Sequence, residues 1–381
     1  MADGKKVRIG VIGCGRISQR IHLKFLKENP AVSLAAAMDI KKGNVKSACG
    51  KFGIPRGFQS PEEMFDKTEL DGVLICTPNW VHKDLTLMAA GRGIHVFCEK
   101  PMAVNASEGE EMVKTCERAG VNLQIGMCKR FDAGLVKAKK MILSGKLGEV
   151  SQITTSFLNP PARLDTPVLE AAKKWGKSLG INVEEKLGLW TMTDPRTGGG
   201  SLMEMGTHLL DFILFFTGEE PSDWSGFVNY KRTDMLWEDQ GTLLVKFPSG
   251  IIATAEMNMS ATADNLLGEK GRIYGDRASL AFTLINGFWF PPPLSYFTPT
   301  ILTRYGPLSP FSGLGAPIPV GAGKKLFMYK LQVDYFVDKI LGRDTDYFGL
   351  GPDFAATGRD GLHAMRIIDA AYAASGRPSP E

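Results

Sequence analysis

Three stretches of this chain combine residue types that can do chemistry. The first is Glu99-Lys100-Pro101, which follows the apolar run Ile94-His95-Val96-Phe97-Cys98. A lysine delivered at the carboxyl end of a strand can hydrogen-bond a substrate hydroxyl, and the proline beside it can fix the turn through a cis bond. The alternative is an ordinary solvated lysine. The second stretch begins at Gly198-Gly199-Gly200-Ser201 and reads as a mostly apolar helix from Ser201 to Phe216. Glu204, His208 and Asp211 fall at i, i+4 and i+7, on one face. A histidine in such a stripe can exchange a proton with a substrate, while three buried ionisable groups are costly without partners. The other reading is equally open: a core histidine, with Ser201 and Glu204 forming a Ser-x-x-Glu capping box.

The third stretch is Gly13-Cys14-Gly15, directly after the apolar run Val7 to Ile12. Gly13 permits a tight turn, and Gly15 lets a backbone approach a pyrophosphate. A helix opening at Arg16 and Ile17 then points its positive N-terminus at that group. Ser18 stands at the third glycine position of the dinucleotide fingerprint, so helix and strand are expected slightly further apart. A second apolar run, Val32 to Met38, ends on Asp39, 24 residues after Gly15. That placing suits a carboxylate bonded to an adenosine ribose hydroxyl and favours NAD. NADP stays open, because Lys41 and Lys42 could receive a 2′-phosphate.

These groups need elements to position them. Gly72 to Cys76 is an unbroken apolar run, as in a parallel strand covered on both faces. It stops at Thr77-Pro78-Asn79, at the strand end where open α/β sheets bind ligands. Asn79 can also cap the next helix, Val81 to Arg92, in whose first turn His82 either packs or meets the cofactor. Helices are expected over Asn44 to Phe52, Glu62 to Phe65 and Glu108 to Ala119, and a strand over Val121 to Gly126. Lys129-Arg130-Phe131 and a helix to Ser144 then complete the alternating half. Afterwards the period changes to two over Ser151–Asn159, Gly226–Lys231, Thr242–Phe247 and Ile251–Met259. A largely antiparallel sheet follows, interrupted by an amphipathic helix from Leu164 to Leu179. Residues 287–323 hold eight prolines among many aromatics and read as a packed arm. Helical periodicity returns over Leu326–Leu341 and Arg359–Ala374.

The bulk properties agree with two soluble domains. The chain has 381 residues, 44% apolar and 23% charged, with a net charge of +4 and no basic block, so nucleic acid is an unexpected partner. No apolar run reaches membrane-spanning length. Six cysteines lie singly, without a C-x-x-C pair, and read as reduced thiols with no metal site. Lys5 and Lys6 run directly into the first strand and leave no room for a signal peptide. A cytoplasmic enzyme is expected.

In order and spacing, Gly13-Cys14-Gly15, Thr77-Pro78-Asn79, Glu99-Lys100-Pro101, Arg130-Phe131 and the triple glycine leading to His208 resemble the Gfo/Idh/MocA oxidoreductases, along nearly the whole chain. The resemblance implies an α/β plus α+β protein. An N-terminal Rossmann, doubly wound sheet would occupy residues 1–149. A C-terminal open-faced, largely antiparallel sheet domain would occupy 150–381, with the last helices packing back on the first domain. Lys100 and His208 match the family's catalytic pair, and Glu204 stands where many members carry aspartate. The implied cofactor set is Gly13, Cys14, Gly15, Arg16, Ile17, Asp39, Thr77, Pro78, Asn79, His82, Glu99, Lys100 and Arg130. The implied activity is NAD(P)-dependent oxidation of a secondary hydroxyl of a sugar, glycoside or cyclitol by a homodimer or homotetramer. A redox-assisted glycosidase and a non-catalytic nucleotide sensor are the rival readings; a sensor would need neither Lys100 nor His208.

Overall fold

Val7 to Ile12 is apolar except at Arg8 and Gly10, and it forms strand β1 (Val7–Ile12), buried almost throughout. In the computed structural model, which describes residues 6–158, 167–178, 183, 190–260, 268–285, 300–305, 316–318 and 327–376, this strand is the centre of the first sheet. The others are β2 (Val32–Met38), β3 (Gly57–Phe58), β4 (Gly72–Ile75), β5 (His95–Cys98) and β6 (Leu123–Ile125). All pair in parallel, in the order β3-β2-β1-β4-β5-β6. This is the doubly wound dinucleotide-binding order, which reverses between β1 and β4.

Between the strands lie α1 (Leu23–Glu28), α2 (Lys42–Phe52), α3 (Pro61–Lys67), α4 (His82–Ala90), α5 (Ala106–Ala119) and α6 (Ala133–Leu143). A π-turn, Ser18–His22, precedes α1. Ser60, Asn105 and Asp132 cap α3, α5 and α6 by accepting backbone N–H bonds, each stabilising its helix by about 1 kcal/mol. Pro78, not Asn79, precedes the 3₁₀ turn Asn79–Val81 leading into α4, and no side chain caps that turn.

The second sheet has eight strands: β7 (Val150–Leu158), β8 (Asp223–Asn229), β9 (Gln240–Lys246), β10 (Ile252–Asn258), β11 (Gly268–Gly275), β12 (Ser279–Ile285), β13 (Thr300–Tyr305) and β14 (Ala316–Ile318). Their order is β14-β13-β12-β11-β7-β10-β9-β8. Most pairs are antiparallel, but β7 and β10 run parallel, from Gln152 beside Ile252 to Leu158 beside Asn258. The sheet is therefore mixed, and its parallel seam is one that an alternating pattern cannot announce. Ala253, Ala255 and Met257 of β10 are buried, as the period of two predicts, and Ile252 is exposed.

Helices α7 (Pro167–Ser178), α8 (Trp190–Thr193) and α9 (Thr207–Thr217) lie in the connection from β7 to β8. Every residue of α9 from Thr207 to Phe216 is buried. The Thr155 hydroxyl on β7 donates to the Leu209 carbonyl at 3.5 Å, and Phe212 meets Phe282 of β12 edge to face at 5.7 Å. Two helices close the chain, α10 (Phe327–Ile340) and α11 (Gly358–Ala374).

The chain forms two compact units. The described residues of the first run over 6–144 and 327–362; those of the second begin at 145 and include 363–376. In the first unit Val333, Phe336 and Val337 of α10 join Val7, Ile9, Val11, Leu23 and Leu26 in one buried cluster. The opposite face of the sheet buries Ile12, Val73, Ile75, Leu85, Val96 and Ile125. Of the proline-rich stretch, residues 300–305 and 316–318 form β13 and β14, and the expected arm otherwise lies outside the described residues.

Candidate active site

The glycine turn sits where β1 ends. Gly13 has φ +87°, and a Cβ there would lie 2.5 Å from the Cys76 carbonyl oxygen, so only glycine fits. The ends of β1 and β4 are thereby brought together. A Cβ on Gly15, by contrast, meets nothing within 4 Å. No neighbour in the chain requires glycine there, and the open space suits a dinucleotide's phosphates. The Gly15 carbonyl accepts from Gln19 N–H at 3.1 Å, starting the helix, on which Arg16 and Ile17 are exposed.

Asp39 closes the turn from β2. Its Oδ2 accepts from Cys14 N–H at 2.8 Å and from the Asn44 amide at 3.1 Å, and Oδ1 accepts from Lys41 N–H at 2.8 Å. Burial, then the Asp39 charge, pushes the Cys14 thiol up to about 12, so it stays protonated. Its backbone N–H is the part that does work.

The Glu99-Lys100-Pro101 turn stands at the end of β5, with a cis Lys100–Pro101 peptide. Glu99 reaches two ways: Oε1 is 2.6 Å from His22 Nε2, and Oε2 accepts from Lys100 N–H at 3.1 Å. Burial pushes the Glu99 carboxyl up, but the His22 hydrogen bond and the charges of His22 and Lys100 outweigh it and hold it below its ordinary value. His82 is fully buried in α4, with Nδ1 3.0 Å from the Pro101 carbonyl and Nε2 2.9 Å from that of Thr77. Burial lowers its pKa against the opposing pull of the Thr77 and Pro101 carbonyls, and the ring lies between the Thr77 turn and the Lys100 turn. Thr77 and Pro78 are half-buried beside it, and Asn79 donates to the Ala103 carbonyl at 3.4 Å.

Arg130 stands in the turn after β6. It is buried, donates to Asp360 at 2.9 Å and to the Phe354 carbonyl at 3.3 Å, and so binds the start of α11 to the turn before α6. Asp360 is pushed up by burial and pulled further down by Arg130, to a net value below the ordinary one.

In the second unit the triple glycine leads into a π-turn, Leu202–Gly206, and then α9. Gly198 has φ +78°, and a Cβ on Gly199 would fall 2.0 Å from the Tyr372 hydroxyl. The Ser201 hydroxyl makes no capping bond, so the capping box does not form. Glu238, fully buried just before β9, takes that place by accepting from the backbone N–H groups of Gly200 and Leu202. His208 and Asp211 are buried and Glu204 is half-buried. The π-turn covers Glu204, so one wide turn falls between Glu204 and His208, which departs from plain α-helical spacing.

Sequence reasoning passed over His22 and Glu238. Each lies in a stretch of mixed polarity with no local signal, and its partner is 77 or 36–38 residues away. Among the described residues no group of three or more His, Cys, Asp or Glu side chains is arranged to hold a metal, and no helix is long and apolar enough to cross a membrane.

Comparison with known proteins adds the chemistry. Residues 7–127 match an oxidoreductase family with an NAD-binding Rossmann fold, and residues 135–281 match the GFO/IDH/MocA C-terminal domain. The myo-inositol 2-dehydrogenase of Thermotoga maritima is 27% identical over 71% of this chain and 75% of its own. The inositol 2-dehydrogenase of Rhizobium meliloti is 24% identical over 96% of both. The crystal structure of aldose-aldose oxidoreductase from Caulobacter crescentus, complexed with glycerol, superposes with a TM-score of 0.75 at 26% identity over 98% of each chain. With its glycine turn, its Asp39 clasp and both matched domains, this chain is an NAD-binding oxidoreductase and belongs to the Gfo/Idh/MocA family.

Proposed function

We propose that the protein oxidises a secondary hydroxyl of a sugar, glycoside or cyclitol, with Lys100, His208 and Glu204 as its reacting groups. The observation that carries this reading is the Lys100 turn. It stands at the end of β5 with a buried histidine against each end, His22 at Glu99 and His82 at Pro101, as a lysine that must meet a reacting oxygen requires. NAD, when bound, supplies the hydride acceptor. Gly13 and Gly15, with the helix start at Arg16 and Ile17, hold its pyrophosphate, and Asp39 holds the adenosine ribose. Lys100 hydrogen-bonds the substrate hydroxyl and stabilises the negative charge that develops there. His208 removes the hydroxyl proton as general base, and Glu204 tunes it.

On this reading residues 1–149, joined in their core by α10, serve the cofactor, and the sheet that begins at 150 serves substrate and subunit contacts. The outer face of the second sheet supports a homo-oligomer, because Phe227, Leu244 and Ile252 are 67%, 47% and 46% exposed on three neighbouring strands. Six free thiols, five of them buried, fit a reducing cytoplasm.

The test is a panel of sugars, cyclitols, glycosides and sugar phosphates, followed by NADH formation. NADH formation with a subset of free sugars or cyclitols is expected. Cleavage of a glycoside without added NAD would replace this reading with the redox-assisted glycosidase, and silence across the panel would overturn it.

A further inference from the structure

We propose that His22 is a positioning residue for Lys100, acting through Glu99 and joining the helix behind the glycine turn to the turn that carries the lysine. The proposal rests on the functional reading of Lys100 given above. His22 closes the π-turn Ser18–His22, only seven residues beyond Gly15, and is fully buried. Such wide turns insert a residue into a helix and recur at functional sites. Here the turn ends with the imidazole against Phe97 of β5, edge to face at 5.3 Å, and Nε2 2.6 Å from Glu99 Oε1.

Glu99 has little freedom of its own. Its other oxygen accepts from the Lys100 backbone N–H, and Gly126 backs it so closely that a Cβ there would sit 3.0 Å from Oε2 and 3.2 Å from the Glu99 Cα. The residue following the glutamate is the lysine, so holding the carboxylate holds the start of the turn. His82 holds the other end through the Pro101 carbonyl. The two histidines differ in what they anchor to. His82 ties the turn to β4, whereas His22 ties it to the element that begins at the cofactor's phosphates. Without His22, the largely covered Glu99 carboxylate beside Lys100 loses its main hydrogen-bond donor and takes up a proton or moves. The first weakens the charge-assisted bond to the Lys100 N–H, and the second releases it.

His22→Leu removes the donor and keeps an apolar side chain. His22→Gln replaces Nε2 with an amide nitrogen at nearly the same reach. Gly126→Ala crowds Glu99 from behind without touching His22. Three readouts apply to the full chain: kcat and KM for the best panel substrate, NADH affinity by fluorescence titration, and amide hydrogen exchange of the peptide carrying Lys100. We expect His22→Leu and Gly126→Ala to lower kcat by about 10- to 100-fold, as misplacement of a reacting group does. NADH affinity should stay within about twofold while exchange at Lys100 accelerates, and His22→Gln should restore most of kcat and the slow exchange. Unchanged exchange at Lys100 in His22→Leu overturns the proposal. So does a fall in NADH affinity that matches the fall in kcat, which would make His22 a cofactor-site residue. The exchange measurement needs no substrate, so it decides the role of His22 even if no panel substrate is oxidised and the functional reading fails.

Discussion

Glu238 grips the Gly200 backbone with both carboxylate oxygens, Oε1 at 3.1 Å and Oε2 at 3.0 Å from the amide nitrogen, and Oε1 also takes the Leu202 N–H at 2.9 Å. A carboxylate from the edge of β9 thus anchors the start of the helix that carries His208. The Tyr372 hydroxyl lies close enough for each group to shift the titration of the other.

Burial pushes the Glu238 carboxyl up from its ordinary 4.5 to about 7, against the pull of the two N–H donors and Tyr372. The sign follows from linkage. A carboxyl that ionises later in the folded state than in the unfolded one costs stability as pH rises between the two values. The folded protein should therefore lose roughly 3 kcal/mol from this group between pH 4.5 and about 7, and nothing further above that. Glu238→Gln cannot ionise, so its stability relative to wild type should climb over that window and then level off. Urea unfolding at a series of pH values measures the gap. A gap that stays constant from pH 4.5 to 7 would falsify the assignment.

The two glycines of the turn should separate cleanly. Gly13→Ala forces a Cβ into the Cys76 carbonyl at positive φ and should destabilise the fold by about 2 kcal/mol or more. Gly15→Ala meets no neighbour and should leave Tm within a few degrees while weakening NADH binding at least tenfold. Thermal melts and fluorescence titration of the pair check this. Equal loss of stability in both variants would mean that Gly15 serves packing.

Asp39 should make the protein prefer NADH to NADPH, since a 2′-phosphate would face its carboxylate. The same carboxylate holds the Cys14 N–H, so Asp39→Asn should weaken both cofactors while narrowing the ratio between them. Competitive titration measures that ratio, and a clear NADPH preference in the wild type would instead assign Lys41 or Lys42 to the phosphate.

Lys100→Ala and His208→Ala should each cut kcat by about 10²- to 10⁴-fold and leave NADH affinity nearly intact, the pattern of groups that act in the transition state. A double variant about as slow as either single one would show that they act as a unit. Wild-type turnover with a lowered Tm in His208→Ala would make His208 a core residue.

Exposed Phe227 and Leu244 should lie at a subunit contact. Phe227→Lys together with Leu244→Lys should shift the protein to monomer in light scattering at micromolar concentration. A wild-type monomer under the same conditions would remove the oligomer from the functional proposal.

Much of the nucleotide half was legible because three of its strands are apolar runs closed by a residue type that suits a ligand: Ile12 before Gly13, Met38 before Asp39, Cys98 before Glu99. Gly57–Phe58 escaped because two residues carry no period. In the second half, alternation along Ile251 to Met259 gave the buried face correctly but said nothing of direction, so the parallel pairing of β7 with β10 was invisible. Long-range polar partners were invisible for a related reason. Ser201 and Glu204 form a complete local capping signal, yet the cap comes from Glu238. Arg130 and Asp360 pair across 230 residues, a distance no local pattern reports. Local patterns report what a residue can bond, while tertiary structure decides which offer is taken.

The parallel seam between β7 and β10 carries one more consequence. Two parallel neighbours cannot be joined by a hairpin, so the chain between Leu158 and Ile252 has to travel back along the sheet before β10 can be laid down. Helix α9 belongs to that return path and packs on both seam strands. The architecture and the histidine proposed as the base therefore share one span of polypeptide. If His208 is the base proposed above, a descendant of this protein can discard its chemistry by a single codon change there, but it cannot discard the helix without also undoing the middle of its sheet. Retired enzymes built on this plan should keep the scaffold of the site long after its reactivity is gone.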